Sequence, residues 1–271
     1  MFEGFELSMS AIEALRIVRS YMQSDVSLSV EQAARIASKL EANGVDYSAA
    51  ATLDRMMPSS SVEADNAVTF YRSCVETAVL SNPIWMKTIT LGRQKFVQKL
   101  DRDAASCFRC ARLLDEPPND EVVDWWDRLQ SMGRRLADQA RLDQGREAER
   151  LSLLHEEGRL KTLGINRSPK WVSIEDNTVG YDILSYDPGP VEPVARLIEV
   201  KSFRKSGRFF LSRNEWETAK KFGSAYSFHI WDIAGKQLSL RSVDEVRRCI
   251  PTDNPGGRWD VAVIDLSVEA F

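Results

Sequence analysis

At 271 residues the chain can bury a substantial core, enough for one large or two modest domains. A hydrophobic share of 43% beside 28% charged residues is ordinary for a globular protein, and no apolar run approaches membrane-spanning length, which excludes a bundle of membrane helices. The formal net charge of -4 opposes indiscriminate binding of nucleic acid, because the field of the whole molecule repels phosphate.

The first twenty residues lack a basic start followed by an apolar block and a cleavage site, so a cytoplasmic setting with no membrane partner is expected. Residues 1–57 read as a small helical unit. Ile12, Leu15, Ile17 and Val18 mark one helix over 11–22, and Val30, Ala33, Ile36 and Leu40 a second over 29–40, stopped by Asn43-Gly44. Two short helices with a polar turn fit a helix-turn-helix, but no basic recognition helix stands out, so packing or dimerisation is the favoured role. Residues 58–66, proline-led and polar, form the candidate linker.

Residues 67–143 continue as a helical domain, with helices predicted over 67–81, 92–114 and 121–142. In the last, Val122, Trp125, Trp126, Leu129, Met132 and Leu136 recur at three- and four-residue intervals, the pattern of core packing. Cys107 and Cys110, three apart, are read as packed thiols, zinc being the alternative.

Residues 144–271 form the predicted α/β domain, a mixed central sheet flanked by helices. A helix over 144–163 carries Glu149 and Glu156 on one face and is stopped by Gly164. Strands follow at 181–186 and 197–203, joined by a proline-rich return. In the second, Ile198, Val200 and Ser202 share one face while Glu199 and Lys201 share the other. Pairing the two strands sets Asp182 beside Glu199. Two converging carboxylates repel, a cost that a divalent cation removes, and hard oxygen donors suit Mg²⁺ or Mn²⁺. The Lys201 ammonium then faces the same cleft, where it can hold a phosphate or stabilise developing negative charge. Together these groups form an apparatus for phosphodiester hydrolysis.

The following loop is basic, with Arg204, Lys205, Arg208 and Arg213 placed either to contact a phosphate backbone or to be solvated. Ser212-Arg-Asn-Glu215 is a capping box that explains Glu215 without chemistry, whereas Asn214 is free to reach the scissile phosphate. A strand from Tyr226 sets Tyr226, Phe228 and Ile230 on one face and His229 with Trp231 on the other, His229 being read as a satisfied sheet residue. Strands at 237–240 and 259–264 extend the sheet or cover its edge.

Asp, a spacer and Glu-x-Lys at an apolar strand resemble the PD-(D/E)xK nucleases, with Asp182, Glu199 and Lys201 matching their pattern. Gly180-Tyr-Asp-Ile183, Ile198-Glu-Val-Lys201, Asn214-Glu215 and Tyr226 are similar, in order, to the C-terminal domain of the plant protein NO VEIN and its bacterial relatives, over roughly residues 144–233. Tyr181 stands where the parent superfamily has proline. The resemblance implies a restriction-endonuclease-like core and a Mg²⁺- or Mn²⁺-dependent nuclease acting on DNA, in defence or DNA processing. Asp182 and Glu199 become metal ligands, Lys201 the group that orients water or stabilises the transition state, and Glu149 an extra ligand. Cutting both strands of a duplex calls for two sites, hence a homodimer, with the helical half left to bind a protein partner or gate access. The alternative is a module that kept this fold to bind nucleic acid or protein without turnover.

Overall fold

The computed structural model describes residues 7–40, 44–57, 66–204 and 207–266. The expected linker, apart from Asn66, and Lys205 lie outside the described residues. Two units divide at Met1–Asp138 and Gln139–Phe271.

The first unit is helical: α1 (Met9–Ser24), α2 (Val30–Leu40), α3 (Tyr47–Met56), α4 (Ala67–Ser81), α5 (Pro83–Ile89), α6 (Arg93–Val97), α7 (Arg102–Cys110) and the start of α8 (Asp120–Thr162). Short polar side chains begin these helices by accepting otherwise unpaired amides: Ser8 takes that of Ala11, Asp46 that of Ala49, Asn66 that of Thr69 and Asn82 those of Ile84 and Trp85. The helix expected over 92–114 is two, because Asp101 caps a new start by accepting from the Ala104 amide at 2.8 Å. Cys107 is buried as expected, but Cys110, the last residue of α7, is exposed. Residues on both sides of the expected linker share one core, from Ile12 and Leu53 to Phe70, Phe108 and Trp126. The tryptophan stripe of α8 enters it at Val122, Trp125, Trp126 and Leu129, and Trp126 Nε1 donates to the Leu113 carbonyl at 3.0 Å. Leu136, predicted on that stripe, is exposed.

The expected pair of helices over 121–142 and 144–163 is one unbroken helix, α8. Nothing between them forces a stop: Gly145 lowers helix propensity by only about 1 kcal/mol and no proline intervenes. Gly164, at φ +70°, ends it.

The second unit contains β1 (Lys170–Trp171), β2 (Ile183–Asp187), β3 (Val194–Phe203), β4 (Arg208–Ser212), α9 (Arg213–Phe222), β5 (Tyr226–Asp232), β6 (Gln237–Ser242), α10 (Val243–Arg247) and β7 (Val261–Asp265). The main sheet runs β1-β2-β3-β5-β6 and is mixed: β3 and β5 are parallel and the other pairs antiparallel. The parallel pair needs a crossover, which α9 supplies. β6 extends the sheet as expected, but β7 pairs with β4 in a separate two-stranded ribbon. A helical N-terminal half and a C-terminal mixed sheet with flanking helices are thus the architecture of the chain. No helix among the described residues is long and apolar enough to cross a membrane.

Both faces of this sheet are covered, which makes β3 and β5 central strands. Ile183, Ile198, Val200 and Trp231 pack against Ala148 of α8. On the other face Leu197, Tyr226, Phe228 and Ile230 meet Trp216 and Ala219 of α9 and Val243 and Val246 of α10. The face carrying Glu199 and Lys201 is therefore interior: Glu199 is only 3% exposed.

Candidate active site

Asp182 precedes β2, and its backbone joins the sheet by donating to the Ile198 carbonyl at 2.9 Å. Its carboxylate turns toward β3, where Oδ2 accepts the Val200 amide at 2.8 Å. Val200 lies between Glu199 and Lys201, so one hydrogen bond ties the predicted aspartate to the predicted Glu-x-Lys. Lys201 Nζ lies 2.7 Å from Glu199 Oε1 and 2.8 Å from Glu215 Oε2. The Tyr226 hydroxyl donates to the Gly180 carbonyl at 2.7 Å and lies 3.3 Å from Glu199 Oε2. Gly180 is required there: its φ is +80°, and a Cβ would come within 2.3 Å of Thr218 Oγ1 on α9. The glycine, tyrosine and acids of the sequence pattern are thus parts of one junction between β2, β3, β5 and α9.

Residues 148–243 match the family model described as Protein NO VEIN, C-terminal. No curated protein and no solved structure matches the chain. The NO VEIN-type segment begins within α8 and ends on the first residue of α10, so it includes the junction and leaves out β7.

Burial sets the electrostatics of this junction. Asp182 is pushed up to about 6 by burial, against the help of the Val200 amide and with added repulsion from Glu149. Burial also raises Glu199; the Lys201 ammonium opposes this but does not outweigh burial together with the charges of Asp182 and Glu215. Burial pulls Lys201 down, yet Glu199 and Glu215 outweigh it and hold the amine charged. Glu215 is lowered because Lys201 and the Ser212 amide overcome its burial. A lysine clamped by two carboxylates accepts no proton near neutrality and acts as a fixed cation.

Glu215 does form the expected capping box, with Ser212 Oγ accepting the Glu215 amide and Glu215 Oε2 accepting the Ser212 amide. It holds Lys201 as well, a role that local spacing did not reveal; the signal lay in its sharing a short pattern with Lys201. The box formed by Ser242 and Glu245, which starts α10, was legible in Ser-Val-Asp-Glu and was not predicted.

Glu149 stands near Asp182 electrostatically but spends one oxygen on protein donors. Oε2 accepts from Trp171 Nε1, from Ser173 Oγ at 2.6 Å and from Arg146 at 2.8 Å. Among the described residues no group of three or more His, Cys, Asp or Glu side chains is arranged to hold a metal ion. The donor chemistry nonetheless suits a hard divalent cation: Asp182 Oδ1 and Glu149 Oε1 accept no hydrogen bond among the described residues. A cation there would also relieve the Glu149 repulsion that adds to the effect of burial on Asp182.

The basic residues predicted to meet phosphate are largely occupied. Arg208 pairs with Asp265 at 3.0 Å. Arg213 donates to the Trp259 carbonyl, pairs with Asp253 and stacks on the Trp259 ring. Arg204, exposed, donates to Gln144 and lies 3.8 Å from Glu147. Asn214 is exposed and donates to the Thr178 carbonyl at 3.2 Å.

On the α8 side of the sheet His229 departs from the expectation of a satisfied residue. It is fully buried, and neither ring nitrogen has a hydrogen-bond partner among the described residues. Glu156 Oε1 lies 3.7 Å away, but that carboxylate is already paired with Arg159 and accepts the Ser185 hydroxyl. Burial, with His155, Arg196 and Arg159 nearby, pulls His229 down to about 3. The unfolded chain takes up this proton near pH 6.5 while the folded one refuses it. Stability is therefore expected to fall as pH drops from 6.5 toward 3, by up to about 1.4 kcal/mol per pH unit. His229→Leu should flatten the decline in acid titrations of unfolding, and parallel slopes would contradict this account.

Proposed function

We propose that the NO VEIN-type domain is a divalent-metal-dependent nuclease on a restriction-endonuclease-like core, hydrolysing phosphodiester bonds in DNA. The observation that carries the reading is the hydrogen bond from the Val200 amide to Asp182, which gathers Asp182, Glu199 and Lys201 at one point of the sheet. Asp182 and Glu199 are the proposed ligands for Mg²⁺ or Mn²⁺, with Glu149 as an additional one. Such an ion, when bound, polarises a phosphoryl oxygen and makes its water a better nucleophile. Lys201, fixed as a cation by Glu199 and Glu215, stabilises the charge that develops on the phosphoryl group, and it does so without giving up or taking a proton. Cutting both strands of a duplex asks for two such sites, so a homodimer is the proposed working form.

The test is incubation of the whole protein with supercoiled plasmid and with single-stranded DNA, in Mg²⁺, in Mn²⁺ and in EDTA. Cleavage is expected only with metal, falling at least about a hundredfold in Asp182→Asn and Lys201→Met. It should rise with pH through about 6, because a protonated Asp182 holds a cation poorly. Activity that survives in both variants would remove these residues from the mechanism. The second reading, a fold retained for binding alone, is favoured by the internal neutralisation of the acids by Lys201. Nucleic-acid binding with no turnover under any of these conditions would select it.

A further inference from the structure

A strand passing over a cluster of carboxylates needs a cation at the rim, and the basic loop expected to offer one has spent Arg208 and Arg213 on acids. Arg150 is different. It is exposed, and among the described residues it has no carboxylate within ion-pair distance. Its guanidinium carbon lies 5.7 Å from the centre of the Trp171 ring, and that of Arg146, one turn earlier on α8, lies 5.6 Å from it. The indole is itself anchored, since its Nε1 donates to Glu149. The residues after it reach the acid cluster directly: the Val172 and Ser173 amides donate to the Asp182 carbonyl at 2.8 and 3.1 Å. Arg146 is consumed by Glu149. Arg150 is thus a charged group held on an aromatic plate beside the acids, with its hydrogen-bond donors uncommitted.

We infer that Arg150, seated on Trp171, is a phosphate-binding group at the rim of the acid cluster and contacts the backbone of a nucleic-acid strand entering it. The inference rests on the nuclease reading for where that strand goes, but the contact itself is measured without turnover. A planar guanidinium suits a phosphate because it presents paired donors, and stacking on Trp171 sets it in position before the strand arrives.

The experiment measures binding of the full chain to fluorescein-labelled oligonucleotides, in DNA and RNA forms of one sequence, by anisotropy in EDTA across a series of NaCl concentrations. Arg150→Ala is expected to weaken binding about tenfold and make the log–log salt slope shallower by about 1. Arg258→Ala, removing an exposed cation elsewhere in the unit, should leave affinity and slope near those of the unaltered chain. Trp171→Leu should weaken binding while keeping the slope, because the charge remains and only its seat is lost. Equal behaviour of Arg150→Ala and Arg258→Ala, or no binding of either oligonucleotide by the unaltered chain, overturns the inference. Plasmid cleavage is scored separately: cleavage with no Arg150 effect rejects this contact alone, whereas an Arg150 effect without cleavage keeps the contact and rejects the nuclease reading.

Discussion

Lys201→Met is expected to destabilise the second unit by about 3 to 5 kcal/mol at pH 8 and by much less at pH 5. The lysine side chain is 15% exposed and the Glu199 side chain beside it 4%, so water contributes little to their balance. Methionine fills much of the volume but leaves Glu199 and Glu215 close together without a cation. Glu199, already raised by burial, then rises further, and Glu215 loses the cation that lowers it, so the folded variant holds protons that the unfolded chain releases. The penalty is present at high pH and relieved as pH falls. Hydrogen-exchange protection of the β2, β3 and β5 amides reports this unit separately from the helical one. Glu215→Gln offers the comparison: glutamine still accepts the Ser212 amide, so the cap survives and the loss should be smaller. Equal losses for Lys201→Met at the two pH values would mean that packing, not charge, is what the lysine supplies.

Arg159→Leu should cost a similar amount, about 3 to 5 kcal/mol, through the other face of the sheet. Glu156 is fully buried, and Arg159 meets it through Nε at 2.8 Å and Nη2 at 2.7 Å. The same guanidinium ties down the Asp187 carboxylate at 2.7 Å and the Tyr186 carbonyl at 2.6 Å. Without it Ser185 alone is left to satisfy a buried anion. Adding Glu156→Gln removes that anion, so the double variant should regain most of the lost stability in urea titrations. A double variant no better than Arg159→Leu would show that the contacts to Asp187 and Tyr186 dominate. In the single variant His229, now 3.7 Å from an uncompensated carboxylate, should titrate well above its present value, which its ring resonances in NMR would report.

What sequence reading found, and what it missed, divides by the range of the interaction. Alternation placed the strands at Tyr226 and Leu197 within a few residues, because a residue's face follows from its own neighbours. The meeting of Asp182 with Glu199 and Lys201 was also legible, since a short return links their strands. The fate of the basic loop was not. Arg213 is claimed by Asp253 and Arg208 by Asp265, acids that come late in the chain and reach the loop only once β7 pairs with β4. Glu215 looked complete as a cap because a cap is a local pattern, whereas its contact with Lys201 depends on how α9 lies on the sheet. The break expected in α8 failed for the opposite reason: the apolar stripe lapses over a largely exposed stretch from Arg134 to Asp143, which interrupts the packing pattern, but with no proline there the backbone ladder continues without it.

Because α8 runs across the division at Asp138, neither half of the chain can be excised cleanly. A fragment starting at Gln139 would open in mid-helix, with its leading amides robbed of their carbonyl partners and no capping side chain in place. Starting instead at Asn119, whose side chain accepts the Val122 amide at 3.0 Å, would keep the natural beginning but bare Val122, Trp125, Trp126 and Leu129 to water. Truncation therefore trades a frayed end for a sticky one, and expression of the catalytic candidate in isolation invites aggregation through those indoles.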